Sequence, residues 1–261
     1  MLESSTNDKI MVEWECTLEC NFRCFYCSNG RNDCLNKPIY HILDEDRIYD
    51  FLSNNINKRF YNTELFLFGG EPFIHPKIEY IIKTLNELQQ RYIIQTNFSL
   101  YKKILELRHL DFKIQVSIHR EQIKNFNDYF KNLIRLKERI RRVDIMYEDE
   151  NDELLYDKII PYFKGIVFLT PVAGFKDNNL RSNVALYNFN KLKRIKPQKC
   201  EEGKRSFLWE KMFREQETTF GKPCLYKNKY FLFDPQFNEY NCSHRINCDI
   251  CPNKHCFLQS I

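Results

Sequence analysis

Three cysteines within eight residues, Cys20, Cys24 and Cys27 in the run C-N-F-R-C-F-Y-C, are the side chains of this chain best suited to redox chemistry. A C-x3-C-x2-C spacing offers three thiolates to a cluster of four irons, whereas electron-carrying [4Fe–4S] sites are closed by four. The iron left without a thiolate is open to a substrate or cofactor, by the same logic that separates catalytic from structural metal sites. Zinc suits the spacing less well, because its cysteines usually come as pairs separated by a longer stretch. A disulfide framework requires an oxidising compartment, and Met1 to Ile10 is polar, with no apolar run of signal-peptide type. Cys16 stands apart from the three: Val12, Trp14 and Cys16 share one face of a strand and read as core.

A second element follows. Glu64-Leu65-Phe66-Leu67-Phe68 is an apolar run of strand length, and Gly69-Gly70-Glu71-Pro72 comes directly after it. Glycines let backbone approach another group without a Cβ in the way, and a carboxylate accepts hydrogen bonds. Taken alone, the four residues are also a common turn before a helix, with proline at the first helical position.

The cysteine spacing, Tyr26 just before the last cysteine, the lead-in Val12-Glu13-Trp14-Glu15-Cys16-Thr17 and the G-G-E-P run together resemble the radical S-adenosylmethionine (radical SAM) superfamily over roughly residues 8 to 173. The resemblance implies that Cys20, Cys24 and Cys27 hold a [4Fe–4S] cluster whose open iron chelates S-adenosylmethionine. It implies cofactor contacts from Tyr26, Gly69, Gly70 and Glu71, with Glu71 an acceptor for the methionyl ammonium, and from Ser117 to the methionyl carboxylate. Reductive cleavage of the sulfonium would then yield a 5′-deoxyadenosyl radical that takes a hydrogen atom from the substrate. Such chemistry belongs to the cofactor, while the protein binds, orients and excludes side reactions.

The elements that must position these residues alternate along the chain. Short runs rich in Ile, Val, Phe and Tyr predict strands at Ile10–Glu15, Glu64–Phe68, Tyr92–Thr96, Lys113–Ile118, Val143–Tyr147 and Ile166–Leu169. Helical periodicity predicts helices over Asp44–Lys58, Pro76–Gln90, Leu100–Arg108, Asn125–Arg141 and Asp152–Phe163. Alternating βα units give an α/β fold with parallel strands and outer helices. Six units fit the partial (β/α)6 TIM-like barrel that the resemblance implies. Chemistry in such barrels sits at the C-terminal strand ends, which directs attention to Thr96-Asn97, to Ser117 and His119, and to the segment after the sixth strand. His119 stands where many members of the family carry an acid.

The last third is cysteine-rich: Cys200, Cys224, Cys242, Cys248, Cys251 and Cys256 are six of the chain's eleven cysteines. Tyr230 to Tyr240 reads as strand, turn, strand, which would bring Cys224 and Cys242 to one end of a hairpin. The region resembles the auxiliary-cluster extensions called SPASM or, when shorter, twitch. Two fully ligated extra clusters would ask for about eight cysteines, so one auxiliary [4Fe–4S] cluster is the economical expectation. Its ligands would be Cys224, Cys242 and two of Cys248, Cys251 and Cys256, with the C-x2-C pair Cys248 and Cys251 favoured. Zinc-ribbon spacing is the competing assignment at this second site. The expected division is a barrel over 8–173, a basic, partly helical connection over 174–223 and a Cys-rich extension over 224–261.

Composition bounds the function. With 43% hydrophobic and 15% aromatic residues in 261, the chain can bury a sizeable core plus a small appendage. No apolar run is long enough to span a membrane, and cysteines without a secretion signal point to a cytoplasmic, reducing compartment. The net charge of +5 is spread over places that need no nucleic acid. Arg135, Lys137, Arg139, Arg141 and Arg142 read as a helix end, and the Lys191–Arg205 cluster as a solvated connection, with binding of phosphates, an acidic leader peptide or RNA as its alternative. Glu148, Asp149, Glu150, Asp152 and Glu153 read as capping charge near the barrel mouth, with attraction for a cationic substrate as the alternative. The expected function is an oxidative radical SAM modification, a cross-link or dehydrogenation, of a ribosomal peptide or protein, with dehydrogenation of a sugar- or aminocyclitol-like small molecule as the alternative. Expected partners are an electron donor such as flavodoxin or ferredoxin and a separate leader-peptide-binding protein. A non-catalytic iron–sulfur or zinc scaffold is the reading from another class, and such a scaffold would have no use for an open iron.

Overall fold

The computed structural model describes residues 10–24, 41–147, 150–171 and 229–241. Six parallel strands lie side by side in chain order: β1 (Met11–Thr17), β2 (Leu65–Gly69), β3 (Tyr92–Thr96), β4 (Ile114–Ile118), β5 (Ile140–Tyr147) and β6 (Val167–Pro171). Helices cross between them: α1 (Glu45–Asp50), α2 (Ile78–Glu87), α3 (Tyr101–Glu106), α4 (Phe126–Arg135) and α5 (Glu150–Ile159). This is the partial (β/α)6 barrel that the resemblance implies and that six alternating units fit.

Side-chain parity explains the layering. Val12, Trp14 and Cys16 on β1, Leu65 and Leu67 on β2, Ile94 on β3, Ile114, Val116 and Ile118 on β4, and Val143 and Ile145 on β5 are buried in one core with the helices. Helix α2 meets them with Ile78, Ile81, Ile82 and Leu85, the i, i+3, i+4, i+7 stripe of an amphipathic helix. Each such side chain contributes about 1.5–3 kcal/mol by leaving water.

The opposite parity is polar. Gln95 donates to Ser117 Oγ at 3.2 Å, and Asp144 accepts from Gln115 at 2.9 Å and from Thr170 at 2.9 Å. Arg142 closes on the same carboxylate through Nε and Nη2, with its guanidinium 4.2 Å over the Phe168 ring. Parallel sheets usually bury both faces under apolar side chains. Here one face is a hydrogen-bonded polar lining.

The junction of α4 and β5 differs from the sequence expectation. Helix α4, capped by Asn125 Oδ1 accepting from Asp128 N at 3.1 Å, stops at Arg135 rather than continuing to Arg141. A 3₁₀ turn, Lys137–Arg139, follows and β5 begins at Ile140, so Arg141 and Arg142 are strand residues and not a cationic helix end. The reason is packing: Ile140, Val143 and Ile145 belong to the core, and only strand periodicity buries the last two on one face while turning Arg142 to Asp144. Helix α1 runs on as a π-helical stretch, Phe51–Asn57, and a short α turn, Lys58–Phe60.

The hairpin expected near the C-terminus is present as β7 (Tyr230–Phe233) and β8 (Glu239–Tyr240), antiparallel to each other. It also joins the main sheet, because β7 pairs parallel with β1 from Met11↔Tyr230 to Trp14↔Phe233. Asp234 holds the turn by accepting from Gln236 N and Asn238 N. Phe237 stacks on Phe51 at 4.1 Å, and Arg59 pairs with Glu239 through both oxygens. Tyr26, Cys27, Cys34, Cys200, Cys224, Cys242, Cys248, Cys251 and Cys256, the Lys191–Arg205 cluster and the acidic Glu148 and Asp149 lie outside the described residues.

Candidate functional site

At the C-terminal ends of β1 to β5 a cavity of about 170 Å³ is lined by Cys20, Phe22, Cys24, Phe68, Gly69, Gly70, Gln95, Thr96, Asn97, Ser117, His119 and Met146. Of the residues expected to make the site, Cys20, Cys24, Gly69, Gly70 and Ser117 therefore come together around one space. Cys16 does not join them; it is 1% exposed in the core, where burial and the nearby Glu71 and Glu15 carboxylates push its thiol well above the ordinary range.

The glycines serve the cysteine loop directly. Gly70 N donates to Thr17 O and Glu71 N to Glu19 O, both at 2.8 Å, extending the β1–β2 pairing past a register shift between Glu15 and Thr17. A Cβ on Gly69 would collide with the Thr17 carbonyl, and one on Gly70 with the Glu19 carbonyl. Gly69 also has φ +142°, which L side chains rarely adopt. The Gly-Gly pair thus lets β2 lie against the backbone that leads into Cys20.

Glu71 is fully buried and does not line the cavity. Its Oε1 accepts from Phe73 N at 3.1 Å and from Thr96 Oγ1 at 2.8 Å, and its Oε2 accepts from Asn97 N at 2.7 Å. The carboxylate thereby caps the Pro72–Ile74 turn and ties it to the end of β3. Burial pushes its pKa up to about 7, against the pull of those three donors.

Asn97, so held, reaches back to the cysteine loop: its Nδ2 donates to Asn21 Oδ1 at 3.0 Å and lies 3.8 Å from Cys20 Sγ. Phe22 N is 3.4 Å from the same sulfur. On the other side, His119 Nδ1 lies 3.3 Å from Cys24 Sγ, and its ring meets Phe22 edge to face at 5.9 Å. Burial lowers the His119 pKa to about 4, so the imidazole is neutral at ordinary pH. The turn that follows it adds a clamp, with Gln122 Oε1 accepting from Arg23 N at 3.2 Å. That turn is anchored by Arg120 Nε on the buried Asp152 carboxylate at 2.7 Å.

Sequence reasoning pointed to Asn97 without giving it a role and did not single out Gln95, Phe68 or Met146. Their signal was position alone, since each stands at or near the C-terminal end of a strand.

A family model described as the radical SAM superfamily matches residues 14–160. Among solved structures, Streptococcus suis SuiB bound to S-adenosylmethionine is similar with a TM-score of 0.62 at 12% identity, covering 93% of this chain and 62% of that one. SuiB bound to precursor peptide SuiA is similar with a TM-score of 0.62 at 13% identity, over 93% of this chain and 62% of that one. Histidine-tagged anSMEcpe with bound AdoMet is similar with a TM-score of 0.55 at 14% identity, over 96% of this chain and 77% of that one. The chain thus spans less than two thirds of the SuiB length. No curated protein matches it in sequence. With the family model covering more than half of the residues, and the cysteines, the glycine pair and the partial barrel arranged as described, the chain belongs to the radical SAM superfamily.

Proposed function

We propose that Cys20, Cys24 and Cys27 hold a [4Fe–4S] cluster with one open iron, and that Gly69, Gly70 and Ser117 hold S-adenosylmethionine against it. The observation that carries this reading is the convergence of Cys20, Cys24, Gly69, Gly70 and Ser117 on one cavity at the strand ends. The donor set suits a cluster: two thiols face a shared space, N–H groups of Phe22 and Asn97 approach the Cys20 sulfur, and a ring nitrogen of His119 approaches that of Cys24, as anionic thiolates require. When bound, the pair would supply one-electron reductive cleavage of a sulfonium carbon–sulfur bond and, through it, hydrogen-atom abstraction from a substrate.

The residues of this chain do the rest. The Gly-Gly segment fixes the cysteine loop against β2, and Glu71 acts at one remove, by holding Thr96 and Asn97 at the cavity wall. Phe22, Phe68 and Met146 give the cavity an apolar wall that limits water near a reactive radical. The polar lining from Gln95 to Thr170 leads away from it along the sheet and suits a polar substrate.

The substrate we favour is a ribosomal peptide or protein undergoing oxidation, a reading supported by the likeness of fold to SuiB, of which one structure holds a precursor peptide. Cys224, Cys242 and two of Cys248, Cys251 and Cys256 would hold an auxiliary cluster that accepts the electron left after hydrogen abstraction. A flavodoxin or ferredoxin would supply the first electron, and a separate protein would present a leader peptide.

Anaerobically reconstituted protein with dithionite and S-adenosylmethionine tests the core of the proposal. Formation of 5′-deoxyadenosine, abolished in a Cys20→Ala, Cys24→Ala, Cys27→Ala variant, is the expected result; no cleavage by protein with a full iron complement would overturn it. Iron and Mössbauer analysis of the same pair tests the second cluster, since about eight irons should fall to about four. A fall from about four to none would leave the C-terminal cysteines without a cluster.

A further inference from the structure

We infer that His119 is a positioning residue for redox: it donates a hydrogen bond from Nδ1 to the Cys24 thiolate and thereby raises the reduction potential of the cluster proposed above. The inference rests on that cluster and goes beyond it, to a residue that stands where many members of the family carry an acid.

Ligation to iron would fix the direction of the bond. A thiolate bound to iron carries no proton and can only accept, so the ring nitrogen 3.3 Å from Cys24 Sγ must be the donor. A carboxylate at this place would face the sulfur with an acceptor and add a second negative charge. The ring is fixed independently of the sulfur, by its edge contact with Phe22 and by the Arg120–Gln122 turn that grips Arg23 N and is tied to Asp152. Cys24 is 7% exposed, so little water is at hand to replace the bond. Asn97 makes the companion approach to Cys20, longer at 3.8 Å.

Reduction adds negative charge to a cluster and concentrates part of it on the sulfurs, and a hydrogen bond to a sulfur is stronger when that sulfur is more negative. The bond therefore favours the reduced form, one of the ways a protein tunes cluster potential. Because the donated proton is needed only at Nδ1, the effect is present for the neutral ring and does not depend on its titration.

The test is an EPR-monitored redox titration of the reconstituted full chain, read on the reduced signal that shifts when S-adenosylmethionine is added. His119→Leu removes the donor and keeps the bulk; His119→Gln restores an N–H. The expected result is a roughly tenfold loss in the reduction equilibrium constant for His119→Leu, about 59 mV more negative for one electron, with most of the loss recovered in His119→Gln and iron content unchanged in both. An unchanged potential in His119→Leu with full iron overturns the inference. Should His119→Leu fail to hold iron, wild-type protein decides. A nitrogen coupling to the reduced cluster that changes when only histidine is ¹⁵N-labelled supports the bond, and a spectrum indifferent to the label overturns it. If wild-type protein shows no signal responsive to S-adenosylmethionine, the cluster reading itself fails, which the iron count and the 5′-deoxyadenosine assay register separately.

Discussion

Replacing Glu71 by glutamine separates a structural carboxylate from one that binds a cofactor, because the structure predicts an effect whose size depends on pH before any cofactor is added. Burial raises the Glu71 pKa from 4.5 to about 7, so the folded chain holds a proton there that the unfolded chain releases earlier. Between those values the folded state binds more protons, and stability must fall as pH rises. The contribution is fully present below pH 4.5, is lost as pH passes 7, and at about 1.4 kcal/mol per pKa unit amounts to ~3 kcal/mol. Glutamine has one acceptor oxygen where three donors converge, Phe73 N, Thr96 Oγ1 and Asn97 N. Its NH2 must face at least one of the two backbone N–H groups, which costs about 1–3 kcal/mol at all pH values. Glu71→Gln should therefore be the less stable protein at pH 5, with the gap closing or reversing by pH 8. Urea denaturation of cofactor-free protein across this range reads both curves. A constant difference between the two proteins from pH 5 to pH 8 would refute the reasoning and return Glu71 to a solvated or ligand-facing role.

Other perturbations follow from the same contacts. Gly70→Ala places a methyl group against the Glu19 carbonyl, so it should break the Glu71 N–Glu19 O bond and lower iron incorporation; wild-type iron content would show that the cysteine loop does not need this close approach. Ser117→Ala removes a hydroxyl from the cavity wall, and S-adenosylmethionine binding measured by calorimetry should weaken severalfold, in line with the ~1 kcal/mol of one hydrogen bond, with iron content unaltered. Asp152→Asn weakens the anchor of the Arg120–Gln122 turn, whose carboxylate side is completely buried. A loss of ~1–3 kcal/mol in denaturant stability is expected, smaller than for a fully buried pair because Arg120 is partly in water.

How much of this was legible in the sequence depends on how local the cause is. The cysteine spacing, the strand after which the glycines come, and the burial of Val12, Trp14 and Cys16 are set within a few residues, and each was readable. The β4–β5 region shows the opposite case. Arg139, Arg141 and Arg142 look like the cationic end of a helix, and nothing nearby in sequence announces that Arg142 turns inward to Asp144 and lies over Phe168. The polar face of the sheet was hidden for a related reason. Gln95, Gln115, Ser117, Asp144 and Thr170 are spread over four strands as interruptions in largely apolar runs, and only the register that aligns Gln95 with Gln115, and Ser117 with Asp144, makes them a surface.

The cofactor end of the barrel shows the same limit more sharply. A Gly-Gly-Glu run tells the reader that backbone must come close to something, and the natural guess is a ligand. In the fold the glycines first meet the carbonyls of Thr17 and Glu19, and the glutamate first meets the end of β3. Both contacts precede any cofactor and bear on where it would sit: one sets the entry to the Cys20 loop, the other sets Asn97, which approaches Cys20 from across the cavity. A motif described by what it binds is here also a device that registers three strand ends against one another. Substitutions in it should therefore disturb cluster assembly and stability as well as cofactor affinity. That joint loss is what distinguishes it from Ser117, whose removal should weaken cofactor binding and cost only its bond from Gln95, with cluster assembly intact.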